Sequence, residues 1–342
     1  MSIRQRAREK REVKIFGRLD PYVIGRYVPE MLEKYSPWLR GLRLEFSGPS
    51  DVMNILMKSE HKKNSIVLSG SSYWAMAYNA IPPYKESYTH YAIAQQHTVS
   101  IGLITLNPSI RSCSDLRGKR VNMYLSGSIV NEVFSTVLKF HGIYDEVDKV
   151  YVGYPEGRDG LLDGSIDATE NAFHKGPGVI APNTTMLDLI SKRPGDLHLI
   201  TFTEEEVAEI GRKAFFPVVV MEIKAEEIVK KYGLKEQKED ISWVTVFHWW
   251  GCDKELDAEV TYEICRVMNE HMREYAIQHH ARAQGWTAER LAKEVVYPLG
   301  GLTNCGVKRE FFHPGALKYY DEVGIKVVEP PLPGEVTWLK ER

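Results

Sequence analysis

Asp115-Leu116-Arg117-Gly118-Lys119-Arg120-Val121-Asn122-Met123-Tyr124-Leu125-Ser126-Gly127-Ser128 is the stretch on which the reading of this chain turns. It predicts a short helical turn, a tight turn at Gly118, a buried strand and a small-residue loop that opens a helix. A strand running through Leu-Ser-Gly-Ser into a helix presents backbone N–H groups at the helix N-terminus, where a carboxylate or phosphate is favoured. Taken alone, the pattern also describes an ordinary strand–loop–helix joint. The flanking sequence decides between the two.

Upstream, Val13–Phe16 predicts a strand, and Asp20-Pro21 the N-cap and first position of a helix reaching about Lys34. Leu42, Leu44 and Phe46 alternate as in a half-buried strand, and Val52, Met53, Leu56 and Met57 repeat at helical spacing. Ser65–Ser69 is a compact buried strand ending in Gly70-Ser71-Ser72, a second strand followed by a small-residue helix start. His90–Gln95 and Thr98–Leu106 read as two strands flanking Gln96-His97.

Downstream the rhythm continues. Asn131–His141 is a helix closed by Gly142, Lys149–Tyr154 a strand, Gly157–Leu162 a short helix and Asp167–Phe173 a strand ending at His174. Thr184–Lys192 is helical, and Ile241–Phe247 is a strand running into the loop His248-Trp249-Trp250-Gly251. A long helix spans about Lys254 to His279, and His313-Pro314-Gly315 opens the last one. Strands alternating with helices predict an α/β fold with mainly parallel sheets. In such sheets ligands bind beyond the carboxyl ends of strands. That rule selects Arg18–Asp20, Gly70–Trp74, Gln95–Thr98, Tyr124–Ser128, Glu170–Lys175 and Phe247–Gly251.

Composition narrows the class. A chain of 342 residues suits two lobes of ordinary size. With 43% hydrophobic and 26% charged residues and a net charge of -2, nothing points to nucleic acid or an acidic membrane surface. Cys113, Cys252, Cys265 and Cys305 lack metal-like spacing. No stretch approaches the roughly 18 apolar residues of a membrane span. Residues 1–12 are basic and no apolar leader region follows them, so the sequence as written is expected to be cytoplasmic. If the native start or a leader is missing, the expected place is the periplasm.

Asp115-Leu116-Arg117-Gly118-Lys119-Arg120-Val121 resembles the signature that opens the second lobe of type II periplasmic solute-binding proteins. Leu161-Leu162-Asp163-Gly164-Ser165-Ile166-Asp167-Ala168 resembles their L-x-x-G-x-I-D-A. His313-Pro314-Gly315-Ala316-Leu317-Lys318-Tyr319-Tyr320 with Gly324 resembles the C-terminal motif of the TAXI family, the solute receptors of TRAP transporters. The likeness spans about residues 13–328. It implies two α/β lobes joined by two crossing strands, with a small ligand, often a carboxylate, in the interlobe cleft. Mapped here, lobe I is 13–105 with 246–328 and lobe II is 106–245, leaving a basic segment at 1–12 and an extended tail at 329–342. Two departures stand out. Phe16-Gly17-Arg18-Leu19-Asp20-Pro21 replaces a Thr-Gly-Gly-rich first loop, and Tyr124-Leu125-Ser126-Gly127-Ser128-Ile129 replaces a Gly-Ser-Pro-Gly-Ser-Gly-Thr-like second one.

On the selected loops, Arg18 offers a bidentate clamp for a carboxylate, or else pairs with Asp20. Ser71, Ser72, Ser126, Gly127 and Ser128 supply hydroxyls and amides. Trp74, Tyr124 and Trp249 suit a planar or aromatic ligand, with core packing as the ordinary alternative. His97, His174 and His248, with Glu170, are candidates for binding or for acid–base work. The ordinary reading of each histidine is a hydrogen-bonded structural residue. No short-range ligand pair marks a metal site, and no cofactor is implied.

Two functions follow. The first is a binding protein for a small organic anion, with TRAP membrane subunits as partners if it is exported, acting as a monomer or homodimer. The second is a cytoplasmic enzyme of lyase or decarboxylase type, in which His97, His174, His248 or Glu170 moves protons while Arg18 holds the substrate carboxylate.

Overall fold

A computed structural model describes residues 10–17, 28–44, 51–81, 84–126, 128–176, 179–213, 218–284, 303, 305–329 and 335–336. The chain forms two compact units, Met1–His97 with Phe247–Pro330, and Thr98–Val246 with Pro331–Arg342. In chain order the first unit opens with β1 (Arg11–Phe16), α1 (Val28–Tyr35), β2 (Leu39–Leu44), α2 (Asp51–Met57), α3 (Ser59–Lys62), β3 (Ser65–Gly70) and α4 (Ser71–Tyr78). Strand β4 (Tyr91–Thr105) leads into the second unit. There follow β5 (Arg120–Asn122), α5 (Ile129–Phe140), β6 (Asp148–Val150), α6 (Tyr154–Asp163), β7 (Ala168–Gly176) and β8 (Val179–Pro182). Then come α7 (Thr184–Lys192), β9 (His198–Ile200), α8 (Glu204–Lys213), β10 (Val218–Ile223) and α9 (Ala225–Tyr232). Strand β11 (Ile241–Cys252) leads back to the first unit, where α10 (Ala258–Gln284) and α11 (Pro314–Glu322) follow; β12 (Glu335–Val336) pairs with β10.

In the first unit β2, β1 and β3 run parallel, with Arg11 opposite Leu39 and Lys14 opposite Ser65. Every residue of β3, Ser-Ile-Val-Leu-Ser-Gly, is buried, as an apolar run covered on both faces should be. The end of β11 pairs antiparallel with β3, placing His248 opposite Gly70 and Trp249 opposite Ser69. On β2 the inward residue is Leu39, whereas Leu42 is 39% exposed. The expected alternation therefore carries its apolar side chain outward on a strand that pairs, among the described residues, only with β1. Pro29 lies in the described part of α1 and is buried.

In the second unit β6, β5 and β7 are parallel, while β7 pairs antiparallel with both β4 and β8, and β10 with β11. The α/β class is as the sequence predicts. The sheet is mixed rather than mainly parallel. Three expected loops are strand instead. β4 passes unbroken through Gln96-His97, β7 carries on through His174 to Gly176, and β11 carries on through His248-Trp249-Trp250-Gly251. Each is held by a paired partner, since Val99 faces His174 and Trp250 faces Leu68. Ladder pairing overrides the local polarity that reads as a break.

Candidate functional site

At the carboxyl end of β3 the chain turns from Gly70 directly into α4. Gly70 has extended backbone, and a Cβ there would come within 2.6 Å of the Phe247 carbonyl oxygen, so β11 can pass this close only to glycine. Ser71 and Ser72 occupy the first turn of α4 and are 0% and 1% exposed. Neither hydroxyl has a hydrogen-bond partner among the described residues, nor does the indole N–H of Trp74. Trp74, three residues after Ser71, lies on the same face of α4. Buried donors are almost always satisfied. Two hydroxyls and an indole N–H without partners, at the positive end of a helix, make a donor-rich seat for an anionic group. His248, half-buried, stands across from Gly70, with its ring about 3.4 Å from where a Gly70 Cβ would lie.

Beneath this seat lies a buried histidine. His90 Nε2 is 2.7 Å from Ser69 Oγ, and its ring stacks on Trp249 with centroids 4.9 Å apart. Burial pushes its pKa down to about 3, so it is neutral in the folded protein at ordinary pH. In the unfolded chain the imidazole protonates near the ordinary histidine value of 6.5. Between these values the unfolded state binds the extra proton, so stability falls as pH drops, by about 1.4 kcal/mol per unit. From pH 7 to pH 5, denaturant titrations should show the wild type losing about 2 kcal/mol more than His90→Gln. Equal losses in the two proteins would show that this imidazole does not titrate on unfolding.

In the second unit Asn122, the last residue of β5, ties the chain just after β6 to the start of β7. Its Oδ1 accepts from the backbone N–H groups of Tyr124 (3.0 Å) and Val152 (3.1 Å), and its Nδ2 donates to Thr169 Oγ1 (2.9 Å). Tyr124 is held at φ 60°, a left-handed conformation that costs a non-glycine residue about 1–2 kcal/mol. Its ring meets that of Tyr154 at 4.9 Å, and the Tyr154 hydroxyl donates to Glu170 Oε1 at 3.0 Å. Glu170 is fully buried. Ser128 is the N-cap of α5, its hydroxyl accepting from the Asn131 N–H at 3.2 Å, and Ser126 is exposed.

The structure thus gathers Ser71, Ser72, Trp74 and His248 in the first unit, and Tyr124, Ser128 and Glu170 in the second. Trp249, expected on a loop, is a core residue stacked on His90. Trp74 is packed on Tyr78 and Phe311, so its exposed-floor role is replaced by its N–H. Arg18, Asp20 and Gly127 lie outside the described residues, as do the side chains of His97 and His174. Both histidines are strand residues rather than loop residues. His313 caps α11 through its Nδ1, which also bonds Thr261 Oγ1 at 2.8 Å. His271 stacks on Tyr35 with centroids 3.6 Å apart. All four cysteines are buried, and no metal-binding group of three or more His, Cys, Asp or Glu is found among the described residues. His90, Asn122 and Tyr154 are the residues that sequence reasoning missed. Only the strand-end position of Asn122 carried any signal.

The model of the NMT1-like family matches residues 45–324. No curated protein matches the chain in sequence. Among solved structures, the periplasmic aliphatic sulphonate binding protein SsuA from Escherichia coli is 13% identical, with 94% of this chain and 90% of that one covered, at a TM-score of 0.45. MatC from Rhodopseudomonas palustris with bound malate is 8% identical, covering 83% and 96%, at 0.49. The probable amino-acid ABC transporter extracellular-binding protein ytmK from Bacillus subtilis is 12% identical, covering 81% and 99%, at 0.47.

Proposed function

The chain belongs to the NMT1-like family, and we propose that it is a binding protein that captures a small organic anion, a carboxylate ahead of other classes. The observation that carries this reading is the pair of buried hydroxyls of Ser71 and Ser72 at the start of α4, which have no hydrogen-bond partner among the described residues. A carboxylate accepts from both hydroxyls and from the helix amides without a proton of its own that would need an acceptor. The motifs at Asp115–Val121, Leu161–Ala168 and His313–Gly324 support a narrower assignment, a TAXI-type receptor that delivers its ligand to TRAP membrane subunits from the periplasm.

Thermal-shift screening of the full chain with small aliphatic and aromatic carboxylates, with matched sulfonates and with phosphate tests the reading. Ser71→Ala and Ser72→Ala should each weaken binding of a carboxylate hit about tenfold, the loss of one hydrogen bond to a charged group. Calorimetric titration reads the change. Hits unaffected by both substitutions would remove α4 from the site. A hit converted to product on long incubation would replace capture with catalysis.

A further inference from the structure

The second unit has a helix start of its own whose capping side chain is only half used. Strand β8 ends at Pro182, opposite Phe173 of β7, and Asn183 carries the chain into α7. The carboxamide of Asn183 is the N-cap. Its Oδ1 accepts from the Met186 N–H at 2.9 Å and from the Thr185 hydroxyl at 2.8 Å, and both of these residues are buried. An N–H can meet only an acceptor, so the carboxamide cannot be turned over, and Nδ2 is fixed beside the first turn. Asn183 is itself 6% exposed, and its Nδ2 is buried with no hydrogen-bond partner among the described residues. A buried donor is costly to leave unmatched.

What surrounds Nδ2 on this helix start is donor too. The N–H groups of Thr184 and Thr185, the first two of α7, have no acceptor within the helix, and they form the positive end of its dipole. The first turn of α7 holds no acidic residue to offset that charge. Asp188, the one carboxylate on this helix, lies a turn further on and is engaged by Arg158 at 3.3 Å and Lys192 at 2.8 Å. The acceptor that fits is negative and has no proton of its own to place. We infer that the start of α7 binds an oxyanion, with Asn183 Nδ2 and the first amides of the helix as its donors. The occupant is a carboxylate or a phosphoryl group. The site uses no residue of the first unit, so it goes beyond the capture proposed for α4 and stands or falls without it.

The amide resonances of Thr184, Thr185 and Met186 in the isotope-labelled full chain read the site as acetate or inorganic phosphate is added. Saturable shifts are expected with at least one of the two. The tighter anion names the group, acetate a carboxylate and phosphate a phosphoryl. Asn183→Ser keeps a capping oxygen and loses the Nδ2 donor, so it should weaken that anion about tenfold. Asn183→Asp also keeps the cap but sets a negative charge against the anion, and should weaken it roughly a hundredfold or more. Without anion both variants should melt close to wild type, which separates the loss of a donor from the loss of the helix. Ser71→Ala should leave the shifts and their midpoint unchanged. Resonances that stay still with both anions overturn the site and leave Nδ2 to a bound water. Equal weakening by Asn183→Ser and Asn183→Asp would show that the occupant carries no charge. A midpoint moved by Ser71→Ala would show that the α7 amides only report binding elsewhere. Either of these results overturns the assignment while leaving the reading of α4 intact.

Discussion

Gly102→Ala is expected to destabilise the second unit by about 3 kcal/mol, the upper end of what overpacking a core usually costs. Gly102 sits in β4 opposite Asn171 of β7. A Cβ built there would lie 1.8, 2.1 and 2.3 Å from Cε2, Cδ2 and Nε1 of Trp243. The indole has little freedom to move aside. It is fully buried, and its Nε1 donates to the Ile200 carbonyl oxygen at 2.7 Å. Relief would break that bond, leave a buried donor unsatisfied and shift a large ring within a close-packed interior. For a unit of this size the loss corresponds to a fall in Tm of about 6–12 °C. Denaturation followed by circular dichroism reads it, and hydrogen exchange assigns it to the second unit. In a double-mutant cycle, Trp243→Ala should by itself cost about 3–5 kcal/mol, and adding Gly102→Ala should then cost much less than it does alone. Full additivity would show that the indole is not what excludes the methyl.

That glycine illustrates where the sequence is silent. The elements themselves were legible, because their signals are local. Asn131 to His141 has a helical period and ends at Gly142, which takes the left-handed φ of 65° that closes such a helix. Thr184–Lys192 follows Asn183, whose side chain caps it by accepting from the Met186 N–H. Ser65–Gly70 is an unbroken run of small and apolar residues. What could not be read is everything decided by a partner strand or a distant side chain. The polar pair Gln96-His97 looks like a break, yet β4 runs on through it into the ladder with β7 that starts at Thr98. The same holds for the candidate sites. Gly70-Ser71-Ser72 was visible as a small-residue helix start. That the two hydroxyls are buried and unmatched depends on the packing around α4. Tyr124 carries no hint of a left-handed backbone, since the cause is the carboxamide of Asn122 two residues earlier. His90 looked like the first residue of a strand, and its burial on Trp249 is a tertiary fact.

Gly315→Ala should be as damaging in the first unit, again by about 3 kcal/mol, because here the obstacle is backbone. Gly315 is the second residue of α11, and a Cβ on it would lie 1.9 Å from the Ala258 carbonyl oxygen and 2.2 Å from Thr261 Oγ1. Both belong to the first turn of α10. Thr261 Oγ1 lies 3.0 Å from that same carbonyl and 2.8 Å from His313 Nδ1, its one proton serving one of them at a time, while the Gly315 N–H donates to His313 Nδ1 at 3.3 Å. The His-Pro-Gly of the C-terminal motif is therefore a clasp, with the histidine as cap, the proline at the first helical position and the glycine allowing the two helices to touch. A methyl group would hold the helix starts apart and slacken the packing of Tyr319 and Tyr320, both buried, and of the Tyr320 hydroxyl on the Ile93 carbonyl oxygen at 2.7 Å. Thr261→Ala removes the hydrogen bonds and one buried methyl group without crowding the two helices, and should cost about 1.5 kcal/mol. Thermal melts of the two variants, compared with wild type, separate the roles. Gly315→Ala should lower Tm at least twice as far as Thr261→Ala. If the order is reversed, the motif serves its hydrogen bonds and not the close approach. Because α4 and its two serines belong to the same unit, binding of a carboxylate by Thr261→Ala should stay at the wild-type level well below its melting temperature.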